Sequence, residues 1–156
     1  MTSSPTSDRT LTLTRHFRAS PAQVYAAWTD PDVLPRWFGP DGWSCHTHAI
    51  DIRVGGEWRF DMTGEGMTFP NRHRWTELSP HSRIVFLMDG MEGDADAKEV
   101  VVTLAPEGDG TRLTQVMTFA TPESLKVAES YGAPEKGQET LAKLAAHLER
   151  QDAATA

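Results

Sequence analysis

The sequence predicts an α+β domain in which one antiparallel sheet buries its inner face under a long C-terminal helix. Three observations carry that prediction. The hydrophobic period is 2 over Leu11 to Phe17, becomes helical for two short segments, and returns to 2 from Trp43 to Phe119. Gly, Pro, Asn and Asp clusters divide that second stretch into strand-length pieces. Near the end the period switches again: Leu141, Leu144, Ala145 and Leu148 fall at i, i+3, i+4 and i+7, the stripe of an amphipathic helix.

The elements follow in order. Leu11, Leu13 and Phe17 share the inner face of a first strand whose alternate positions are polar. Ser20-Pro21 reads as an N-cap with proline at the first helical position, opening a short helix through Val24 and Trp28 that Asp30-Pro31 stops. Asp32 to Trp37 forms a second short helix, broken at Phe38-Gly39-Pro40. A strand runs from Trp43 to Ile52, and Val54-Gly55-Gly56 supplies the positive-φ positions of a tight hairpin. Trp58, Phe60 and Met62 alternate with charges on the next strand, and Gly64-Glu65-Gly66 turns again. Met67 to Leu78 follows, broken by Pro70-Asn71, and then the apolar run from Ile84 to Met88. Lys98 to Leu104 and Thr111 to Phe119 are two further strands joined by the hairpin signal of residues 106–110. Thr121-Pro122 repeats the helix-start signal, and Gly132-Ala133-Pro134 should kink or split the last helix, leaving Glu135 to Arg150 as its firm part. Residues 1–8 and 151–156 read as flexible ends around a single domain over 9–150.

Composition sets limits on partners. With 22 acidic against 15 basic residues the 156-residue chain carries a net charge of −7, which repels a phosphate backbone and excludes nucleic acid as the expected partner. Cys45 has no second cysteine to pair with, and the chain shows no signal-peptide core and no apolar run near the ~20 residues of a membrane span. A cytoplasmic protein that does not insert into membranes is expected.

A concave sheet over one cylindrical helix leaves space between them, and that space is the default binding site. Its expected walls are Trp37 and Phe38 at the breaker, Trp58, Phe60 and Met62 on one strand, Trp75 on the next, and Phe86, Met88 and Met117 beyond. Leu141 faces them from the helix. Methionines are soft enough to re-pack around different guests. His46 and His48 are two apart and share a face with Ile50 and Ile52 if the strand is regular, so both imidazoles enter the groove if the isoleucines do, and His73 could join them. No carboxylate stands at ligand spacing and no paired cysteines or H-E-x-x-H run exists, so no metal and no cofactor is expected. Cys45 lies on the face opposite His46, with nothing to lower its pKa, and reads as a small structural thiol. Asp51 and Arg53, ahead of Gly55-Gly56, read as a structural charge pair, and the acidic run from Glu92 to Asp96 as a solvated loop.

Five segments together carry a resemblance: Ala19 to Pro31, Trp37-Phe38-Gly39-Pro40, Asp51 to Phe60, Pro80 to Phe86 and Gly110 to Thr114. With the closing helix at Leu141 to Leu148, they resemble the family related to the activator of the heat-shock-protein-ninety ATPase, within the START and birch-pollen-allergen superfamily. The resemblance covers about residues 10–150. It implies a helix-grip fold, a curved seven-stranded antiparallel sheet wrapped around the C-terminal helix, with two short helices between strands 1 and 2. It also implies a groove for a small hydrophobic or amphipathic molecule. Two alternatives come with it: a module that contacts a chaperone, and a cyclase- or hydrolase-type enzyme using the groove histidines as acid–base groups. Homodimers are common among such proteins, although no exposed apolar stripe argues for one here. Where the family usually carries Gly-Trp this chain has Gly137-Gln138, and Gln115 replaces a usual apolar residue, so a widened, more polar groove is expected.

Overall fold

Strand β1 (Thr10–Phe17) is followed by a turn into α1 (Pro21–Thr29), whose start is fixed by a capping box. The Ser20 hydroxyl accepts the Gln23 N–H at 3.1 Å, and the Gln23 side-chain oxygen accepts the Ser20 N–H at 2.9 Å. The helix ends at Asp30, extended at φ −88° and ψ 118°, as the residue before a proline must be. After α2 (Leu34–Trp37) come β2 (Ser44–Ile50), β3 (Glu57–Gly64), β4 (Met67–Ser79), β5 (Arg83–Asp89), β6 (Lys98–Glu107) and β7 (Gly110–Thr118), then α3 (Pro122–Ser130) and α4 (Ala133–Thr155). This computed structural model describes residues 7–89 and 97–155, so the run from Glu92 to Asp96 and most of the expected flexible N-terminus lie outside the described residues.

The seven strands form one antiparallel sheet in the order β1-β7-β6-β5-β4-β3-β2. Because β1 and β2 are opposite edges, α1 and α2 carry the chain from one side of the sheet to the other, across its inner face. The expected α+β helix-grip architecture is what forms. The β3–β4 connection needs only Glu65 (φ 53°) and Gly66 (φ 76°), two successive left-handed residues whose twist matches that of the strands they join.

Two boundaries differ from expectation, at Pro70 and at the end of the last helix. Pro70 does not break β4: β5 ends at Asp89 opposite Arg72, so residues 67–71 pair with β3 alone among the described residues, and a missing N–H costs no ladder bond on the open side. Gly132, at φ 83°, splits the C-terminal segment, one of the two outcomes expected there, so α3 and α4 are separate helices. Helix α4 then runs to Thr155, past the expected end at Arg150.

Leu141, Leu144 and Leu148 of α4 are all buried against the sheet. They do not fill the concavity alone. Val24 and Trp28 of α1 with Leu34 and Trp37 of α2 enter one end of it, where the indole of Trp28 stands edge-on to that of Trp37 at 4.8 Å. The Trp37 indole N–H is satisfied by the Ala27 carbonyl at 3.0 Å. That end is a solid aromatic core, and the space left over lies at the other end. No described helix is long and apolar enough to cross a membrane.

Candidate functional site

The remaining space is a cavity of about 250 Å³. Its sheet wall comes from the end where β5 and β7 finish and β6 begins: Phe86 and Met88, Gln115 and Met117, Lys98 and Val100, with Met62 of β3 beside them. Phe38, Gly39 and Pro40 close one side. The roof is helical, from Ala128 of α3 and from Ala133, Lys136, Gly137 and Thr140 on the first two turns of α4. A side chain at Gly137 would meet the terminal methyl of Leu13 of β1, which would have to shift to admit it.

Six of the residues expected from sequence line this cavity: Phe38, Met62, Phe86, Met88, Gln115 and Met117. Trp37, Trp58, Phe60, Trp75 and Leu141 are buried in the core beside it and do not line it. Trp58 and Phe60 stack at 3.7 Å, and the Trp58 N–H is bonded to the Thr47 hydroxyl at 3.0 Å, so these rings are occupied with each other.

His46 and His48 lie outside. A β-bulge between Thr47 and Ala49 inserts His48 as an extra residue and reverses the alternation. Cys45 and Thr47 therefore share the inner face with Ile50, while both histidines are exposed on the outer face, where His48 Nε2 lies 3.0 Å from Asp61. Cys45 does sit opposite His46, as expected. Burial pushes its thiol up to about 12, only partly opposed by Lys143, and the Sγ–H donates to the Phe38 carbonyl at 3.4 Å. Asp51 and Arg53 form the expected pair, at 2.6 Å.

Gln138 also lies outside the cavity. Successive helical residues point about 100° apart, and the cavity faces the flank of α4 that carries Ala133, Gly137 and Thr140. Gln138 is exposed on the other side of the Leu141–Leu144 stripe, so it does not widen the site. Gln115 alone brings the expected polarity.

His73 is enclosed by rings. It stacks on Phe86 at 4.5 Å and meets Phe38, Trp58 and Phe60 edge-on at 5.0, 5.0 and 5.3 Å. Its Nε2 has no hydrogen-bond partner. Burial lowers its pKa to about 3, outweighing the Asp89 charge that acts to raise it, so the ring is neutral at physiological pH. No described histidine lines the cavity, and acid–base chemistry on histidine has no seat there.

Sequence reasoning missed Lys98, Lys136 and Val100. A signal for Lys98 was present: Val100, Val102 and Leu104 alternate inward on β6, and the next position back is Lys98. It also missed exposed apolar surface. Phe69 and Met67 stand out on the β3–β4 hairpin, with Phe69 against Trp43 at 5.8 Å, and Val127 and Tyr131 stand out on α3.

The model of the family described as Activator of Hsp90 ATPase homolog 1-like protein matches residues 18–149. The chain belongs to this family. Solved structures share its shape: protein NE0264 from Nitrosomonas europaea is 28% identical, with 94% of this chain and 97% of that one covered and a TM-score of 0.80. A Rhodobacter sphaeroides protein is 29% identical, covering 94% and 97%, at a TM-score of 0.81. Protein CV1439 from Chromobacterium violaceum is 29% identical over 88% of this chain and 95% of that one, at 0.75. No curated protein matches the chain. As an Activator of Hsp90 ATPase homolog 1-like protein it keeps the helix-grip frame, and its own cavity residues must say what the frame holds.

Proposed function

We propose that this protein binds a small, partly apolar organic molecule in the cavity between the sheet end and helices α3 and α4, without covalent catalysis. The observation that carries the reading is the cavity itself: about 250 Å³ walled by Phe38, Phe86, Met62, Met88 and Met117, inside a fold whose other end is fully packed. That volume lies just below the ~300–1,000 Å³ usual for drug-sized ligands, so the guest is small. The lone cysteine fits a cytoplasmic setting.

The test is a thermal-shift screen of the purified protein against fatty acids, flavonoids and aromatic alcohols and acids. A ligand at 100 times its Kd stabilises the folded state by about 2.7 kcal/mol, which is readily measured. Met117→Trp, which fills the cavity, should abolish the shift while leaving a cooperative melt. No stabilisation by any compound would count against the reading.

The family description supports a second reading, contact with a chaperone ATPase. The outer face of the sheet, with its Arg59–Glu57 ion pair, offers a charged surface for it. Retention of a chaperone from the native cytosol, dependent on nucleotide and lost on changing outer-face charges, separates this reading from the first.

A further inference from the structure

We propose that the ligand is an organic acid, an apolar body bearing one carboxylate whose charge is held by Lys98 and Lys136. This rests on the ligand-binding reading above and specifies its chemistry. The chain has only four lysines among 156 residues, and two of them line this one cavity, whereas no acidic residue among the described residues does. In a protein of net charge −7 the described lining of this cavity carries the opposite sign.

Lys98 stands at an inward-facing position of β6, continuing the row of Val100, Val102 and Leu104, and is half-buried. Its ammonium lies 5.6 Å from the centre of the Phe119 ring, which attracts it through the π face but does not neutralise it. It forms no ion pair among the described residues. Glu123 of α3 shares an adjoining hollow with Lys98 and is not part of the cavity lining. A bound carboxylate would give this inward-facing lysine a charged partner inside the groove. Lys136 projects from the first turn of α4 on the opposite wall. The C-terminus of α3 and the N-terminus of α4 meet here, so their opposed dipoles leave the two lysines as the net positive charge. Thr140 donates its hydroxyl proton to the Lys136 carbonyl at 3.1 Å, whereas the Gln115 amide has no described partner and can donate to the same carboxylate.

The test is calorimetric titration at low salt with 2-naphthoate and octanoate, each beside the alcohol and the amine of the same skeleton. Each acid should bind at least ~10-fold more tightly than its alcohol, as a charge-assisted contact requires, and the amines most weakly. The Lys98→Met/Lys136→Met double variant should bind acid and alcohol alike, and Lys98→Arg/Lys136→Arg should keep the preference. Should the double variant fail to fold, wild-type protein still decides: rising salt must weaken the acids and leave the alcohols unchanged. Alcohols binding as tightly as acids would overturn the inference while sustaining the cavity reading. Binding of neither class would overturn both.

Discussion

The most quantitative consequence of the aromatic core concerns His73. In the unfolded chain its imidazole titrates near ~6.5, whereas in the folded protein burial among Phe38, Trp58, Phe60 and Phe86 lowers its pKa to about 3. Below the unfolded value the unfolded chain takes up a proton that the folded chain refuses. The stability contributed by a neutral His73 is therefore complete above pH ~6.5 and is lost as the pH falls toward about 3. Each pH unit in that window costs up to ~1.4 kcal/mol, so the loss is about 3 kcal/mol by pH ~4.5 and roughly 5 kcal/mol across the whole window. Against a domain stability of ~5–15 kcal/mol this one side chain removes a large share. Urea titrations of wild type and His73→Phe at pH ~7, ~5.5 and ~4.5 isolate the effect, because every carboxylate titrates in both proteins. The free-energy difference between them should move by about 3 kcal/mol in favour of the variant between pH ~6.5 and ~4.5. Parallel pH dependence in the two proteins, or an NMR titration of His73 near 6, would refute the reasoning.

Two further predictions concern the frame of the site. Cys45, with its thiol pushed up to about 12, should react with iodoacetamide at pH ~8 far more slowly in the native protein than in urea, and thiol counting over time measures the ratio. Gly110→Ala should destabilise by ~1–3 kcal/mol or more in a urea melt, because the added methyl would collide with the Phe17 carbonyl of the neighbouring strand. Gly108→Ala, whose methyl would meet open space, should cost only the strain of its φ of 59°.

What the sequence disclosed and what it hid differ in range. The Ser20–Pro21 helix start, the Gly64–Gly66 turn and the Leu141–Leu148 stripe are local devices, and each is readable because its chemistry completes within a few residues. The same holds for the inner-face row Trp58, Phe60, Met62. His46 and His48 were misplaced because a bulge leaves no mark in the hydrophobic pattern: Ile50 points inward as expected, but one inserted residue separates its phase from theirs. Pro70 misled because its tolerance depends on where β5 stops, a fact about another strand. The division of the groove into a packed aromatic end and an open end follows from α1 and α2 folding under the sheet, which no period in either segment encodes. Lys98 and Lys136 are distant in sequence and line the same cavity from the sheet and from α4, so their place in one site became visible only in three dimensions.

Methionine methyls report the central claim most directly. Met62, Met88 and Met117 line the cavity, while Met67 is exposed on the β3–β4 hairpin and does not. In methyl-labelled protein titrated with 2-naphthol and 2-naphthoate, the resonances of Met62, Met88 and Met117 should shift together and saturably, and that of Met67 should stay in place. Stationary cavity methyls under both compounds, or a response confined to Met67, would contradict a ligand site between the sheet and its closing helices.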